Sequence, residues 1–295
     1  MKKTTRFKQL IISPEILILP GAHDALSAKI VEKAGFKAVT MGGYPASASL
    51  LGKPDVNLLT MTEMVNHARN MAEAVEIPLF VDGDTGHGNV TNVIRTVREF
   101  EKAGVAGLFI EDQVSPKRCG HMEGKQVIPA DEMVAKIKAA ADTRQDPDLV
   151  IMARTDARAV YGLDEAIDRG NRCREAGADI IFVEAPLDET ELRRIASEID
   201  APTLANVVEG GKTPVFSAKQ FEEMGFAVVA FPLSTIYAAA KAVTDLMAEF
   251  ARTGTTLGYT DRMMVFTEFN QLVGLEDVRE TERRYYQSIV DRSKQ

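Results

Sequence analysis

Residues 78–113 read PLFVDGDTGHGNVTNVIRTVREFEKAGVAGLFIEDQ, and this stretch decides the fold. Pro78–Val81 is a short run of apolar residues that breaks into Asp82-Gly83-Asp84-Thr85-Gly86-His87-Gly88. Val90–Ala103 then carries apolar residues at helical spacing, and Ala103-Gly104-Val105 leads into a second apolar run, Gly107–Ile110. A strand apolar at every position suits a parallel sheet buried on both faces, and an amphipathic segment between two such runs suits the crossover helix that joins them. The glycine after the helix supplies the left-handed cap that returns the chain to the sheet.

The same unit recurs on both sides. Further strands are predicted at Ile16–Leu19, Ala38–Met41, Leu149–Ala153, Asp179–Val183, Thr203–Ala205 and Ala227–Ala230. Between them lie helical segments at Asp24–Ala34, Thr62–Ala74, Asp131–Thr143, Leu163–Ala176 and Glu189–Glu198, several of them followed by the same Ala-Gly or Met-Gly turn. Eight strand–helix units in series, with no break in composition, predict a closed (β/α)8 TIM barrel rather than an open doubly wound sheet. Beyond the last strand, a helix over Ile236–Arg252, a Thr-Gly-Thr-Thr-Leu-Gly linker and further helices are expected. The chain thus reads as one domain, 1–295, whose segment 236–295 is too small to fold alone and packs on the barrel or on a neighbouring subunit.

Composition narrows the function classes. The net charge of −8, with no basic stripe, argues against a nucleic-acid partner, because phosphate contacts reward clustered Lys and Arg. Cys119 and Cys173 are the two cysteines, far apart and in unlike contexts, which fits a reducing cytoplasm better than a disulfide framework. The amino terminus, MKKTTRFKQLIISPEILILPG, superficially resembles an export signal, but Pro14 and Glu15 interrupt its apolar run. No stretch approaches the roughly 20 apolar residues of a membrane span. A soluble cytoplasmic protein is expected.

In a barrel, catalytic groups sit where strands end. The predicted exits here are polar: His23-Asp24, Gly42-Gly43-Tyr44, Asp82-Gly83-Asp84, Glu111-Asp112-Gln113, Arg154-Thr155-Asp156, Glu184-Ala185-Pro186 and Asn206. Asp82 and Asp84 are two residues apart, so on an extended strand end they point the same way, with Glu111 from the next strand beside them. Three carboxylates so placed call for a hard cation, Mg2+ or its substitute Mn2+; the alternative is a plain Asp-Gly-Asp turn. Arg154 suits a bidentate clamp on a substrate carboxylate or an ion pair with Glu184 or Glu111.

The loop Ser115-Pro116-Lys117-Arg118-Cys119-Gly120-His121-Met122-Glu123-Gly124-Lys125 holds a cysteine among cationic neighbours, which favour the thiolate and suit acid–base work. Its length and glycines suit a lid. A basic surface loop with an incidental cysteine is the bland alternative. Cys119, Lys117, Arg118, His121 and Glu111 are the catalytic candidates; Cys173, on an amphipathic helix, reads as a packing residue. Glu209-Gly210-Gly211-Lys212-Thr213 follows the seventh strand, where barrels often bind phosphate, but Gly-Gly-Lys alone is a weak signal.

From about Leu19 to Tyr285 the chain resembles the isocitrate lyase/phosphoenolpyruvate mutase superfamily, above all its 2,3-dimethylmalate and 2-methylisocitrate lyase branches. The resemblance is carried by Leu51-Gly52-Lys53-Pro54-Asp55, Asp82-Gly83-Asp84-Thr85-Gly86, Lys117-Arg118-Cys119-Gly120-His121, Ala153-Arg154-Thr155-Asp156-Ala157 and Val183-Glu184-Ala185-Pro186. It implies Mg2+ bound directly by Asp84, with Asp55, Asp82 and Glu111 holding its waters. It implies substrate contacts from Gly42, Gly43, Tyr44, Gly120, Arg154, Glu184 and Asn206, and Cys119 as the general acid of a retro-aldol lyase. It also implies a helix exchanged between paired subunits in a homotetramer. Gly42-Gly43-Tyr44 and Tyr237 differ from the Ser-Gly-Gly and arginine expected of 2-methylisocitrate lyases, which points to a substituted malate cleaved to pyruvate and a monocarboxylate. The alternatives are 2-methylisocitrate cleavage, phosphonate mutase chemistry, oxaloacetate hydrolysis, or a silent carboxylate-binding barrel.

Overall fold

The computed structural model describes residues 1–292, so the last three residues of the expected 236–295 extension lie outside the described residues. Two compact units are present, Met1–Tyr237 and the helical segment from Ala238 onward.

The first unit is an eight-stranded parallel barrel. Its strands are β1 (Leu17–Pro20), β2 (Val39–Met41), β3 (Leu79–Asp82), β4 (Gly107–Glu111), β5 (Val150–Thr155), β6 (Ile180–Val183), β7 (Thr203–Asn206) and β8 (Val228–Phe231). Each expected strand is there, most displaced by about one residue, as strand boundaries commonly are. Neighbours pair in sequence order and β8 pairs β1. The remaining seam is closed by a bridge between Gly21 and Thr40, where the Ala22 N–H donates to the Thr40 carbonyl at 2.8 Å. The expected glycine turns hold: Gly35, Gly104, Gly177 and Gly225 all have φ between 84° and 109°.

Alternate residues of each strand serve different cores. Leu79 and Val81 of β3, or Leu108 and Ile110 of β4, pack outward with the helices. Phe80, Phe109, Val150, Met152, Ile180, Phe182, Leu204 and Ala230 fill the barrel interior. This is the two-residue period of a pleated strand, and it decides which side chains reach the mouth.

The amino terminus forms a helix that the sequence reading did not anticipate. Lys3–Ile11 is a helix whose Phe7 and Ile11, four residues apart, join the interior cluster. Phe7 is fully buried and stacks on Phe80 with ring centroids 5.3 Å apart. Burying such side chains stabilises by about 2 kcal/mol each, and here it plugs the closed end of the barrel. A second unanticipated helix, Gly43–Leu51, follows β2 and carries Tyr44 at its start.

In the second unit, the end of the helix Ser234–Thr253 is followed by a 3-10 turn, Leu257–Arg262, and helices Phe266–Leu272 and Leu275–Arg292. Tyr259 and Leu272 are buried, whereas Val243, Met247, Phe250, Met264, Val265, Phe266 and Phe269 are exposed. No helix among the described residues is long and apolar enough to cross a membrane.

Candidate active site

The interior period puts one polar side chain at the top of most strands. Above the apolar layer of Phe80, Phe109, Met152, Phe182 and Leu204 stand Asp82, Glu111, Arg154, Glu184 and Asn206, each two residues further along its strand. Asp82, Arg154, Glu184 and Asn206 border a pocket that also takes in Thr40, Gly42, Gly43, Tyr44, Asp55, Cys119, Gly120 and His121, with Val208, Pro232 and Leu233 as apolar wall, while Glu111 is fully buried behind its lining. Most of the expected site residues therefore meet in one place.

The carboxylates gather around an ammonium. Lys117 Nζ lies 2.9 Å from Asp55 Oδ2 and 2.8 Å from Asp84 Oδ1, and all three side chains are buried. Asp82 accepts from two backbone N–H groups, Gly43 on Oδ2 and Asp84 on Oδ1, both at 2.8 Å. Glu111 has no hydrogen bond on either oxygen, the Arg154 Nε ion pair to Oε2 being 3.3 Å long. Burial pushes the carboxyls of Asp55 and Asp84 up and that of Glu111 well up, against the pull of Lys117 and, for the last two, of Arg154. Burial opposes the Lys117 charge, but Asp84, Asp82, Glu111 and Asp55 together hold it protonated well above the usual lysine range.

Asp82 and Asp84 converge for a different reason than extension. β3 stops at Asp82, and Asp84 sits in a left-handed turn at φ 48°, so the turn redirects it toward Lys117. Among the described residues no three acidic, histidine or cysteine side chains converge on one point at ligand spacing. The donors are nevertheless all oxygens, and neither oxygen of Glu111 is held by a hydrogen bond. That set fits a hard divalent cation that keeps much of its water shell.

The loop after β4 is closed at its neck by the Gln113–Val127 bridge and by Val114 N–H donating to the Gln126 carbonyl at 2.8 Å. Gln113 clamps the Arg118 backbone from both sides, donating to its carbonyl at 2.8 Å and accepting from its N–H at 3.0 Å. Cys119 N–H donates to the Asp55 carbonyl at 3.2 Å, and its half-buried side chain borders the pocket. Its thiol corrects the expectation of a thiolate. Burial pushes it up to about 11, with Glu184 and Asp55 adding to the shift against the His121 backbone hydrogen bond and Arg154. Arg118 is exposed and outside the pocket, donating to the Glu123 carbonyl at 3.2 Å. His121 is inside, with Nε2 3.1 Å from Glu184 Oε1 and Nδ1 accepting the Lys212 N–H at 3.1 Å, which puts the ring proton on Nε2.

Arg154 is the hub of the floor. It reaches Asp156 at 3.0 Å, Glu111 at 3.3 Å and Glu184 at 3.4 Å, and its guanidinium lies 5.2 Å from the Phe182 ring centroid. The sequence left Arg154 between a clamp on a substrate carboxylate and an ion pair with Glu184 or Glu111, and the ion pairs to both are there. Asp156, named among the polar strand exits but given no role there, and Lys125 both join this ion-pair group, Lys125 Nζ donating to Asp156 Oδ1 at 2.7 Å. Asp156 had a signal, standing two residues beyond Arg154; Lys125 had none but its place at the end of the loop. Cys173 is buried, and burial pushes its thiol up to about 12, as suits a packing residue.

The chemistry available is that of a buried acid store, a protonated thiol and one guanidinium over an apolar floor. The sequence matches the family model of phosphoenolpyruvate phosphomutase over residues 7–251. It is 51% identical over 285 residues to 2,3-dimethylmalate lyase of Eubacterium barkeri, covering 97% of this chain and 99% of that one. It is 47% identical over 237 residues to 2-methylisocitrate lyase of Bacillus subtilis, covering 80% and 78%. Among solved structures, that of a 2,3-dimethylmalate lyase superposes with a TM-score of 0.92 at 32% identity, covering 97% and 96%. Phosphonopyruvate hydrolase in complex with oxalate and Mg2+ does so with 0.88 at 30%, covering 97% and 100%.

Proposed function

The chain belongs to the phosphoenolpyruvate mutase/isocitrate lyase superfamily, and on that premise we propose that it is a Mg2+-dependent carbon–carbon lyase cleaving a substituted malate of the 2,3-dimethylmalate kind to pyruvate and a monocarboxylate. The observation that carries this reading is the place of Cys119 on the wall of the pocket beside Asp55, Asp82 and Arg154, where burial favours its neutral thiol as a proton donor.

Asp84, Asp82, Glu111 and Asp55 would hold the Mg2+, with Mn2+ as a substitute. The cation supplies positive charge to stabilise the oxygen anion of the departing 2-oxo acid. The chain's own groups do the rest. The start of the helix Gly43–Leu51, with Gly42 as its cap, presents backbone to the substrate's 2-hydroxy acid end, beside Tyr44 and Asn206. Glu111, free of hydrogen bonds on both oxygens, is the candidate acceptor of the hydroxyl proton once a bound cation offsets the burial that otherwise favours its protonated form. The C2–C3 bond breaks, its electron pair passes to C3, and the Cys119 thiol protonates that carbon to release the monocarboxylate. His121, Gly120 and Glu184 shape the wall on which the thiol sits.

Charge and shape favour a malate. The pocket wall is apolar at Val208, Pro232 and Leu233, which suits methyl substituents. Arg154 already faces three carboxylates, so little cationic capacity is left for a third substrate carboxylate. The second reading, 2-methylisocitrate cleavage, is favoured by the 47% identical relative and uses the same groups. A homotetramer built on exchanged carboxy-terminal helices is supported by the exposed apolar residues of the second unit. Two free cysteines agree with a cytoplasmic setting.

The test is a coupled pyruvate-release assay offering 2,3-dimethylmalate, 2-methylisocitrate and oxaloacetate, with Mg2+ and with EDTA. EDTA-sensitive pyruvate from dimethylmalate is expected. A preference for 2-methylisocitrate would replace the substrate but keep the mechanism; silence on all three would remove both.

A further inference from the structure

The loop that carries Cys119 ends on a lysine. The Lys125 side chain is only 2% exposed, and its ammonium donates to Asp156 Oδ1 at 2.7 Å and to the Gly120 carbonyl. Asp156 is itself buried and takes Arg154 Nε at 3.0 Å and Nη2 at 3.3 Å, so it belongs to the ion-pair group on the pocket floor. Gly120 is the residue after Cys119, and it lies so close to that group that a Cβ there would stand 2.4 Å from the Glu184 side chain and 2.5 Å from Arg154 Nη2. One buried ammonium therefore ties the peptide next to the thiol to the charges beneath the substrate.

We propose that Lys125 is a positioning residue for Cys119: by holding the Gly120 carbonyl down beside Asp156, it presents the thiol to the pocket and keeps it from solvent. A buried amine that makes two charge-assisted hydrogen bonds fixes both partners more firmly than a neutral donor would. The loop's other anchors do not act at this point. Lys117 holds Asp55 and Asp84, Gln113 holds the Arg118 backbone, the Cys119 N–H donates to the Asp55 carbonyl at 3.2 Å and its carbonyl accepts from Met122 at 2.9 Å, and His121 accepts from Lys212; none of these touches the Gly120 carbonyl, so losing the amine frees chiefly the 120–121 peptide. Asp156 would keep Arg154 as its counter-charge, which leaves the floor standing in a Lys125 variant.

The inference leans on the proposed lyase reading only for its kinetic consequence, and the decisive readout needs no turnover. Parent, Lys125→Met and Lys125→Arg proteins are treated with iodoacetamide at pH 8, and the Cys119 and Cys173 peptides are followed separately by mass spectrometry. Alkylation of Cys119 should accelerate about tenfold or more in Lys125→Met and less in Lys125→Arg. Cys173, buried in the helix Leu163–Glu175, should keep its parent rate and so report that the barrel is intact. In the pyruvate assay kcat should fall about tenfold with KM within about threefold, the pattern of a misplaced reacting group rather than lost binding. An unchanged Cys119 rate would overturn the proposal. So would acceleration of both cysteines together, or a freed Cys119 with undiminished kcat.

Discussion

The ammonium of Lys117 stands 2.8 Å from Asp84 Oδ1, so a loop residue supplies the counter-charge for the acid cluster at the end of β3. A cation brought to Asp84 must share or replace that contact, which couples metal binding to the loop that carries Cys119.

Lys117→Met should therefore destabilise the metal-free protein and leave it more responsive to Mg2+. Removing one partner of a buried ion pair costs about 3–5 kcal/mol. The expected result is a lower melting temperature without metal and a larger Mg2+-induced rise than in the parent, read by thermal shift with and without EDTA.

The Asp84→Asn variant should weaken Mg2+ binding at least about tenfold in calorimetry, since it removes a negative charge from the candidate direct ligand. The barrel should still melt cooperatively, because Asp84 lies in a turn outside the apolar cores.

The pH dependence of Cys119 follows from its burial. An ordinary thiol titrates near 9, whereas this one is pushed up to about 11. The neutral form is the one folding favours, so its contribution to stability is complete below about 9 and lost as pH rises through about 11. At pH 8 the thiolate fraction should be on the order of one in a thousand, and iodoacetamide should react slowly until strongly alkaline pH. A peptide-resolved rate profile checks this; a plateau near pH 8 would contradict it.

Phe7→Ala should cost about 3–5 kcal/mol in urea unfolding, the usual penalty for an emptied aromatic core position. The mouth of the barrel, at the other end of the strands, should keep its metal affinity.

The barrel was legible because each strand is a short apolar run and each helix shows its own period. The amino-terminal helix was not, since its two buried residues, Phe7 and Ile11, are embedded among lysines and an arginine that mimic a leader. The polar exits were legible through the two-residue period of the strands, which carries from Phe80 to Asp82 and from Phe109 to Glu111. The loop offers no period. Lys117 and Arg118 are adjacent and alike in charge, yet one is buried among carboxylates and the other is exposed. Cys119 shows the same limit: its neighbours along the chain are cations, while burial, Glu184 and Asp55 set its proton affinity.

The most direct test of the central claim is the turnover of 2,3-dimethylmalate by Cys119→Ser beside the parent, with Mg2+ affinity measured on both. A hydroxyl is a far weaker acid than a thiol, so kcat should fall by about two orders of magnitude or more while Mg2+ affinity stays the same. Undiminished turnover in Cys119→Ser would remove the thiol from the chemistry and contradict the account.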